Sequence, residues 1–343
     1  MTGTGDPAVR GDREDARAAV AKRVRAAREA MAEIRAYDQT EADELARAAG
    51  RAVYREEHAR SLVETTLRET GFGNREDKLE KTRERVKGIL VDALAEPTVG
   101  RIESGRDEVV EIAKPVGVVG ALVPSTNPVP TAANLAILAL KGRNALVVSA
   151  SPAGTPPVAE AVEYVRQELA DVGAPRDLIQ MVPEPASKAK AAALTELVDL
   201  VQVTGSTANV KMGETSGTPN YCVSEGNPVA LIDDGVDLDR VAAAVTFSAA
   251  YDEGLTCVSE SCLVAAETCY EELRDSLTAA GAYCCDERET DRLRRTLFPD
   301  GELDRSAIGR PADELADEAG IDDDAARAAD VLVVEPTGVN GDP

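Results

Sequence analysis

From residue 116 to the short helix that starts at Thr207 the chain repeats one pattern, and that pattern limits the class of fold. A short apolar run comes first, then a turn of Ser, Thr, Asn, Gly or Pro, then nine or more residues with helical spacing. The runs at 116–123, 144–149, 179–182 and 197–203 are nearly continuous in apolar residues, so they read as strands buried on both faces. The stretches at 131–140, 158–172 and 186–194 read as helices, and a short one starts at Thr207. Strands that alternate with helices are joined by crossovers, which makes neighbouring strands parallel. The expectation is an α/β chain built on a parallel sheet.

The flanks differ. Residues 8–95 are rich in Ala, Arg and Glu, with no proline between Pro7 and Pro97. They read as helices, broken at Gly71-Phe72-Gly73 and resuming over 76–94. Residues 98–113 read as a hairpin or edge strands. After Tyr221 the alternation restarts: strand 228–232, helix 238–250, strand 260–266, helices 269–281 and 287–297, and strand 331–334. These features divide the chain into residues 1–234 and 235–343. The second part, with three evident strands, reads as incomplete.

Charge excludes one class of partner. Asp and Glu number 62 against 38 Lys and Arg, a formal net of −24, whereas a nucleic-acid surface needs a basic face. Only nine of the cations are lysines. An acidic, lysine-poor chain with 3% aromatic residues fits work in concentrated salt, where screening removes self-repulsion. No apolar run reaches the ~18 residues of a membrane span. The polar start, MTGTGDPAVRGDRED, argues against export, so a cytoplasmic location is expected. All six cysteines lie from Cys222 onward and the one histidine is His58, which makes disulfides, zinc and histidine-based catalysis poor expectations. No metal site is expected.

Three stretches can carry chemistry. Cys257 sits in the Gly-containing loop Tyr251-Asp-Glu-Gly-Leu-Thr-Cys257; a thiolate attacks carbonyls and leaves as a thioester. An isolated cysteine is more often a small buried hydrophobe, the reading given to Cys262, Cys269, Cys284 and Cys285. Pro124-Ser125-Thr126-Asn127 follows a buried strand, where α/β proteins place ligands, and the Asn127 amide can donate to an oxyanion. The same residue types also make turns and helix caps. Thr204-Gly205-Ser206 joins a strand to a helix N-terminus that suits a pyrophosphate, though no G-x-G-x-x-G is present.

Together and in order, ETGFGNREDK (69–78), EIAKPVGVVGALVPSTNPVPT (111–131), ALKGRNALVVSASP (139–152), VTGSTANV (203–210), GNPVALIDDGVDLD (226–239) and EGLTCVSES (253–261) resemble the aldehyde dehydrogenase superfamily. Within it they resemble the CoA-acylating branch, which includes the aldehyde modules of aldehyde–alcohol dehydrogenases and the sulfoacetaldehyde dehydrogenases. The resemblance implies an aldehyde dehydrogenase-like α/β fold: a Rossmann-type parallel-sheet cofactor domain and an incomplete α/β catalytic domain. It implies a small-molecule aldehyde substrate, NAD or NADP as cofactor and CoA as acyl acceptor. It also implies a homo-oligomer, with an oligomerisation-type hairpin near 98–113. Position by position, Cys257 matches the nucleophile and Asn127 the oxyanion donor, acting with the Cys257 N–H. Pro124, Ser125 and Thr126 match the nicotinamide side. Ser149, Ala150, Ser151 and Pro152 match the adenosine-ribose segment, and Thr204, Gly205 and Ser206 the pyrophosphate turn.

Three departures matter. Hydrolytic members carry a water-activating glutamate where this chain has Cys222; without that base water attack is slow and a thiol is the better acceptor. Glu225 is a weaker substitute base. The lysine that hydrolytic members place near the adenosine ribose is replaced by Ser149-Ala150-Ser151, leaving NAD and NADP both open. The family also continues past a strand like 331–334, so a C-terminally truncated member is expected. Two readings stand: an active acylating dehydrogenase, or a catalytically inactive fragment or split-enzyme subunit that keeps nucleotide binding. A γ-glutamyl-phosphate reductase-like relative ranks below both.

Overall fold

The computed structural model describes residues 7–102, 109–224 and 226–335. The chain divides into two compact units, residues 1–70 with 78–225 and residues 71–77 with 226–343. The division falls at Gly226 rather than after residue 234 because the strand Val229–Ile232 pairs with Cys262–Ala265 in the second unit.

The first unit opens on helices Pro7–Glu33, Gln39–Tyr54 and Glu56–Thr70. Asp38 starts the second of these with a reciprocal cap. Its carboxylate accepts the Glu41 N–H, and the Glu41 carboxylate accepts the Asp38 N–H. Ala42, Leu45, Ala49 and Val53, spaced three and four apart, form the buried stripe of that helix. Where one helix is expected over 76–94, helix Arg75–Glu80 passes into a π-helical turn, Lys81–Arg85, before helix Val86–Ala95. In the 98–113 stretch β1 (Gly100–Ile102) pairs antiparallel with β2 (Glu111–Ala113).

Five strands form the central sheet of this unit: β3 (Val118–Val123), β4 (Ala145–Ala150), β5 (Ile179–Met181), β6 (Leu200–Thr204) and β7 (Asn220–Val223), in the order β5-β4-β3-β6-β7. Every neighbouring pair is parallel. Each residue of β3 and β4 is buried, as continuous apolar runs require. The strand starts are tied by side chains: Asn144 Oδ1 accepts the Val116 and Gly117 N–H groups, and Asp199 Oδ2 accepts the Val118 N–H. The chain runs outward from β3 to β4 and β5, then returns to add β6 and β7 on the other side of β3. That reversal, between β3 and β6, is where open α/β sheets bind ligands. Helices Pro128–Lys141 and Thr155–Asp171 begin three residues earlier than expected, because prolines are tolerated in a first turn.

In the second unit, β8 (Val229–Ile232) lies parallel to β9 (Cys262–Ala265), connected through helix Leu238–Ala250. β10 (Ala282–Cys284) lies parallel to β11 (Val331–Val333). Helix Leu238–Ala250 packs on helix Tyr270–Ala279 through a core of Ile232, Leu238, Ala242, Leu273 and Leu277. Leu293, Ala316, Ile321 and Ala326 form a smaller core beside Cys285. This unit has four strands among the described residues rather than the three evident in sequence. Cys284 ends β10, and Cys269 and Cys285 are buried, in keeping with their reading as small hydrophobes. No described helix is long and apolar enough to cross a membrane.

Candidate active site

The residues assigned to the cofactor converge in the first unit. Pro124, Ser125, Thr126 and Asn127 follow β3. Ser149 and Ala150 end β4, with Ser151 and Pro152 next, and Thr204 ends β6, with Gly205 and Ser206 next. All lie at the carboxyl ends of three adjacent strands, around the reversal point. The turns after β3 and β4 touch: a Cβ on Gly154 would stand 3.2 Å from the Pro128 Cβ. Ser151 Oγ accepts the Gly154 N–H at 3.2 Å, and Thr155 Oγ1 donates to the Ser151 carbonyl at 3.0 Å. Ser206 is the N-cap of helix Thr207–Glu214, and its side chain makes no cap bond. The positive end of that helix, with the hydroxyls of Ser125, Thr126, Ser149 and Ser151 on the same sheet edge, fits a dinucleotide and its pyrophosphate.

Asn127 occupies the N-cap position of helix Pro128–Lys141, with φ −139° and ψ 58°, but makes no side-chain cap bond. Its Oδ1 accepts instead from Lys81 Nζ at 2.6 Å. Lys81 is the first residue of the π-helical turn and is 6% exposed.

Cys257 lies in the second unit, exposed, in the turns between helix Leu238–Ala250 and β9. The loop before it has an unusual backbone. Asp252, Glu253 and Gly254 all have positive φ (51°, 53° and 71°), a left-handed conformation that non-glycine residues adopt at a cost. Residues 71–77 hold it. Asp77 Oδ2 accepts the Asp252 N–H at 2.7 Å and Asn74 Nδ2 at 2.7 Å. The buried Asp252 carboxylate accepts the Asn74 N–H at 3.3 Å, Asn74 Nδ2 also reaches Glu253 Oε1 at 3.2 Å, and Tyr251 Oη donates to the Asp77 carbonyl at 3.2 Å. A Cβ on Gly73 would stand 2.0 Å from Asp252 Oδ1, so only glycine permits this approach. Sequence reasoning singled out neither Asn74, Asp77 nor Lys81. Their one signal is that the first two fall within the stretch GFGNREDK, three residues apart.

Cys222 lies on β7. Burial, and secondarily Glu214, push its thiol above the usual range, and Sγ donates to Asn220 Oδ1 at 3.3 Å. A protonated thiol there is no base for water. Glu225 lies outside the described residues. His58 stacks on Tyr164 at 3.8 Å, with Nδ1 2.7 Å from the Ala52 carbonyl, a structural placement. Among the described residues no cluster of three His, Cys, Asp or Glu side chains could hold a metal.

Sequence and fold place this chain among known proteins. Residues 6–284 match the aldehyde dehydrogenase family, and the chain belongs to that family. Within it the chain falls in the CoA-acylating branch. It is 39% identical to the acylating sulfoacetaldehyde dehydrogenase of Cupriavidus necator, over 94% of this chain and 66% of that protein. It is 33% identical to the acylating sulfoacetaldehyde dehydrogenase of Bilophila wadsworthia, over 92% of this chain and 69% of that one. An acetylating aldehyde dehydrogenase from Geobacillus thermoglucosidasius superimposes with a TM-score of 0.88 at 31% identity, covering 95% of this chain and 72% of that structure. The chain thus spans about two thirds of the length of the curated relatives it matches.

Proposed function

We propose that this chain acts as an NAD(P)-dependent, CoA-acylating aldehyde dehydrogenase, with Cys257 as nucleophile and Asn127 as oxyanion donor. The observation that carries the reading is the exposed Cys257 thiol beyond a strained and clasped loop, within the family's EGLTCVSES stretch. The Cys257 thiolate adds to the aldehyde carbonyl to give a thiohemiacetal, and the Asn127 NH2 stabilises the oxygen that becomes negative. NAD(P)+, when bound by residues 124–126, 149–152 and 204–206, supplies the acceptor for the hydride leaving that carbon. Cys257 is left as a thioester. The CoA thiol attacks it, the acyl group moves to CoA sulfur, and the Cys257 thiolate leaves. Cys222, a raised-pKa thiol, gives water no base, which favours the thiol acceptor.

Sulfoacetaldehyde is the first substrate to test, on the strength of the two relatives above. A homo-oligomer formed through the hairpin at 98–113 is supported by the exposed Val109, Val110 and Ile112. A cytoplasmic setting completes the proposal. The test is NAD(P)H formation from sulfoacetaldehyde and other short aldehydes with CoA, in molar KCl. Turnover that needs CoA and vanishes in Cys257→Ala is expected; turnover kept by Cys257→Ala overturns it. Nucleotide binding without turnover supports a second reading: a nucleotide-binding protein without dehydrogenase activity.

A further inference from the structure

The residues Asn127-Pro128-Val129-Pro130 contain a conflict that the structure resolves. An N-cap asparagine ordinarily spends its side-chain oxygen on the N–H of the second or third helical residue. Asp38, Ser187, Asp237 and Asp286 all cap their helices this way in this chain, through the N–H three residues on. After Asn127 the third position is Pro130, which has no N–H. One of the two usual partners has thus been removed, the Val129 N–H two residues on is not used, and Oδ1 accepts from the Lys81 ammonium instead.

That exchange fixes the chemistry the amide presents. The two ends of a carboxamide are nearly the same size, so packing alone scarcely distinguishes its two flips. A lysine ammonium has three donors and no acceptor. It tolerates the carbonyl end facing it and repels the NH2 end, and the charge makes the bond a strong one. Lys81 reaches this point from a π-helical turn, whose wider winding shifts side-chain direction relative to the helix before it. Its near-complete burial keeps water from competing for the ammonium.

We propose that Lys81 is a positioning residue, which together with Pro130 holds the Asn127 carboxamide in the flip that offers its NH2 as the oxyanion donor. The catalytic consequence rests on the role proposed for Asn127; the side-chain geometry does not.

The test begins with the chain labelled at asparagine nitrogen, which has eight asparagines. The side-chain NH2 resonance pair that vanishes in Asn127→Ala belongs to Asn127. In Lys81→Met that pair should move away from its wild-type position while the other pairs stay. Pro130→Ala, which keeps Lys81 and restores a capping N–H, should move it as well; this variant decides the matter if Lys81→Met fails to fold. A pair unmoved in both folded variants overturns the proposal whether or not the chain turns over. Where turnover is measurable, Lys81→Met should lower kcat about tenfold to a hundredfold, less than the outright loss of an oxyanion donor. The KM for aldehyde should hardly change, and the double variant should be no slower than Asn127→Ala. Full kcat in Asn127→Ala would reject the oxyanion role and leave the resonance result standing.

Discussion

The Asp252 N–H donates to the Asp77 carboxylate at 2.7 Å, across 175 positions of sequence. This bond and the Asn74 contacts fix three successive left-handed residues just before Cys257. Backbone strain of this kind persists only where the surroundings over-determine it. Removing Asp77 takes away the acceptor of a part-buried N–H and a partner of Asn74 at once. Asp77→Ala should cost about 2 kcal/mol, read from urea unfolding, with Asp77→Asn costing less. Unchanged stability in Asp77→Ala would show that the clasp does not hold the loop.

Gly71 and Gly73 separate backbone conformation from close approach. Both have positive φ, 67° and 70°. A Cβ at Gly71 meets nothing within 4 Å, whereas one at Gly73 meets the Asp252 carboxylate and Leu255. Gly71→Ala should therefore cost about 1 kcal/mol for the left-handed conformation alone. Gly73→Ala should cost about 3 kcal/mol or more, because the loop must also give way. Equal losses would mean that the approach of Gly73 to Asp252 is dispensable.

Glu253 gives the clasp a pH dependence of known sign. Burial, then Asp77, Asp252 and Asp313, raise its carboxyl above the usual range, against the opposing hydrogen bond from Asn74. A raised folded value means that the folded state binds the proton more tightly. The contribution is fully present below the unfolded value of about 4.3 and is lost as pH rises through the folded value. Glu253→Gln should thus melt higher than wild type at pH 7, with the gap closing toward pH 4. A variant that melts lower at pH 7 would contradict this.

The sheet was legible because β3 and β4 are buried on both faces and so leave unbroken apolar runs. The carboxyl edge proposed to take the cofactor was legible in the same way, since the end of each run was visible as a Ser/Thr/Pro turn. β7 was missed because Asn220-Tyr221-Cys222-Val223 is a half-exposed edge strand with a polar start. β10 was missed at three residues between Gly281 and Cys285. The helix starts at Pro128 and Thr155 were set too late, since proline reads as a breaker until its place in the first turn is known. The clasp and the Lys81–Asn127 bond join residues 175 and 46 positions apart, and no local pattern encodes such pairings.

Salt dependence follows from the net charge of −24. At 1 M the screening length is about 3 Å, against about 10 Å at 0.1 M, so carboxylate repulsion across the surface is largely removed. The chain should unfold at higher urea in molar KCl than in dilute buffer. Sodium sulfate, which strengthens burial generally, serves as the comparison. Equal midpoints in dilute buffer and molar KCl would end the inference of a high-salt protein.

The six thiols should react in an order set by exposure and by pKa. Only the thiolate alkylates, and it must be reached. Cys257 is exposed, while Cys269 and Cys285 are buried. Burial, with Glu289 and Cys284 beside it, pushes Cys285 up to about 12, so hardly any of it is thiolate at pH 8. Cys222 is also raised. Limiting iodoacetamide at pH 8, with modified sites mapped by mass spectrometry, should label Cys257 first and Cys285 last. NAD+ or NADP+ should change the rate at Cys257 alone if the nucleotide and the thiol serve one reaction. Labelling of Cys285 as fast as Cys257 would mean that the β10–β11 unit opens in solution, and a Cys257 rate indifferent to either nucleotide would count against the proposed chemistry.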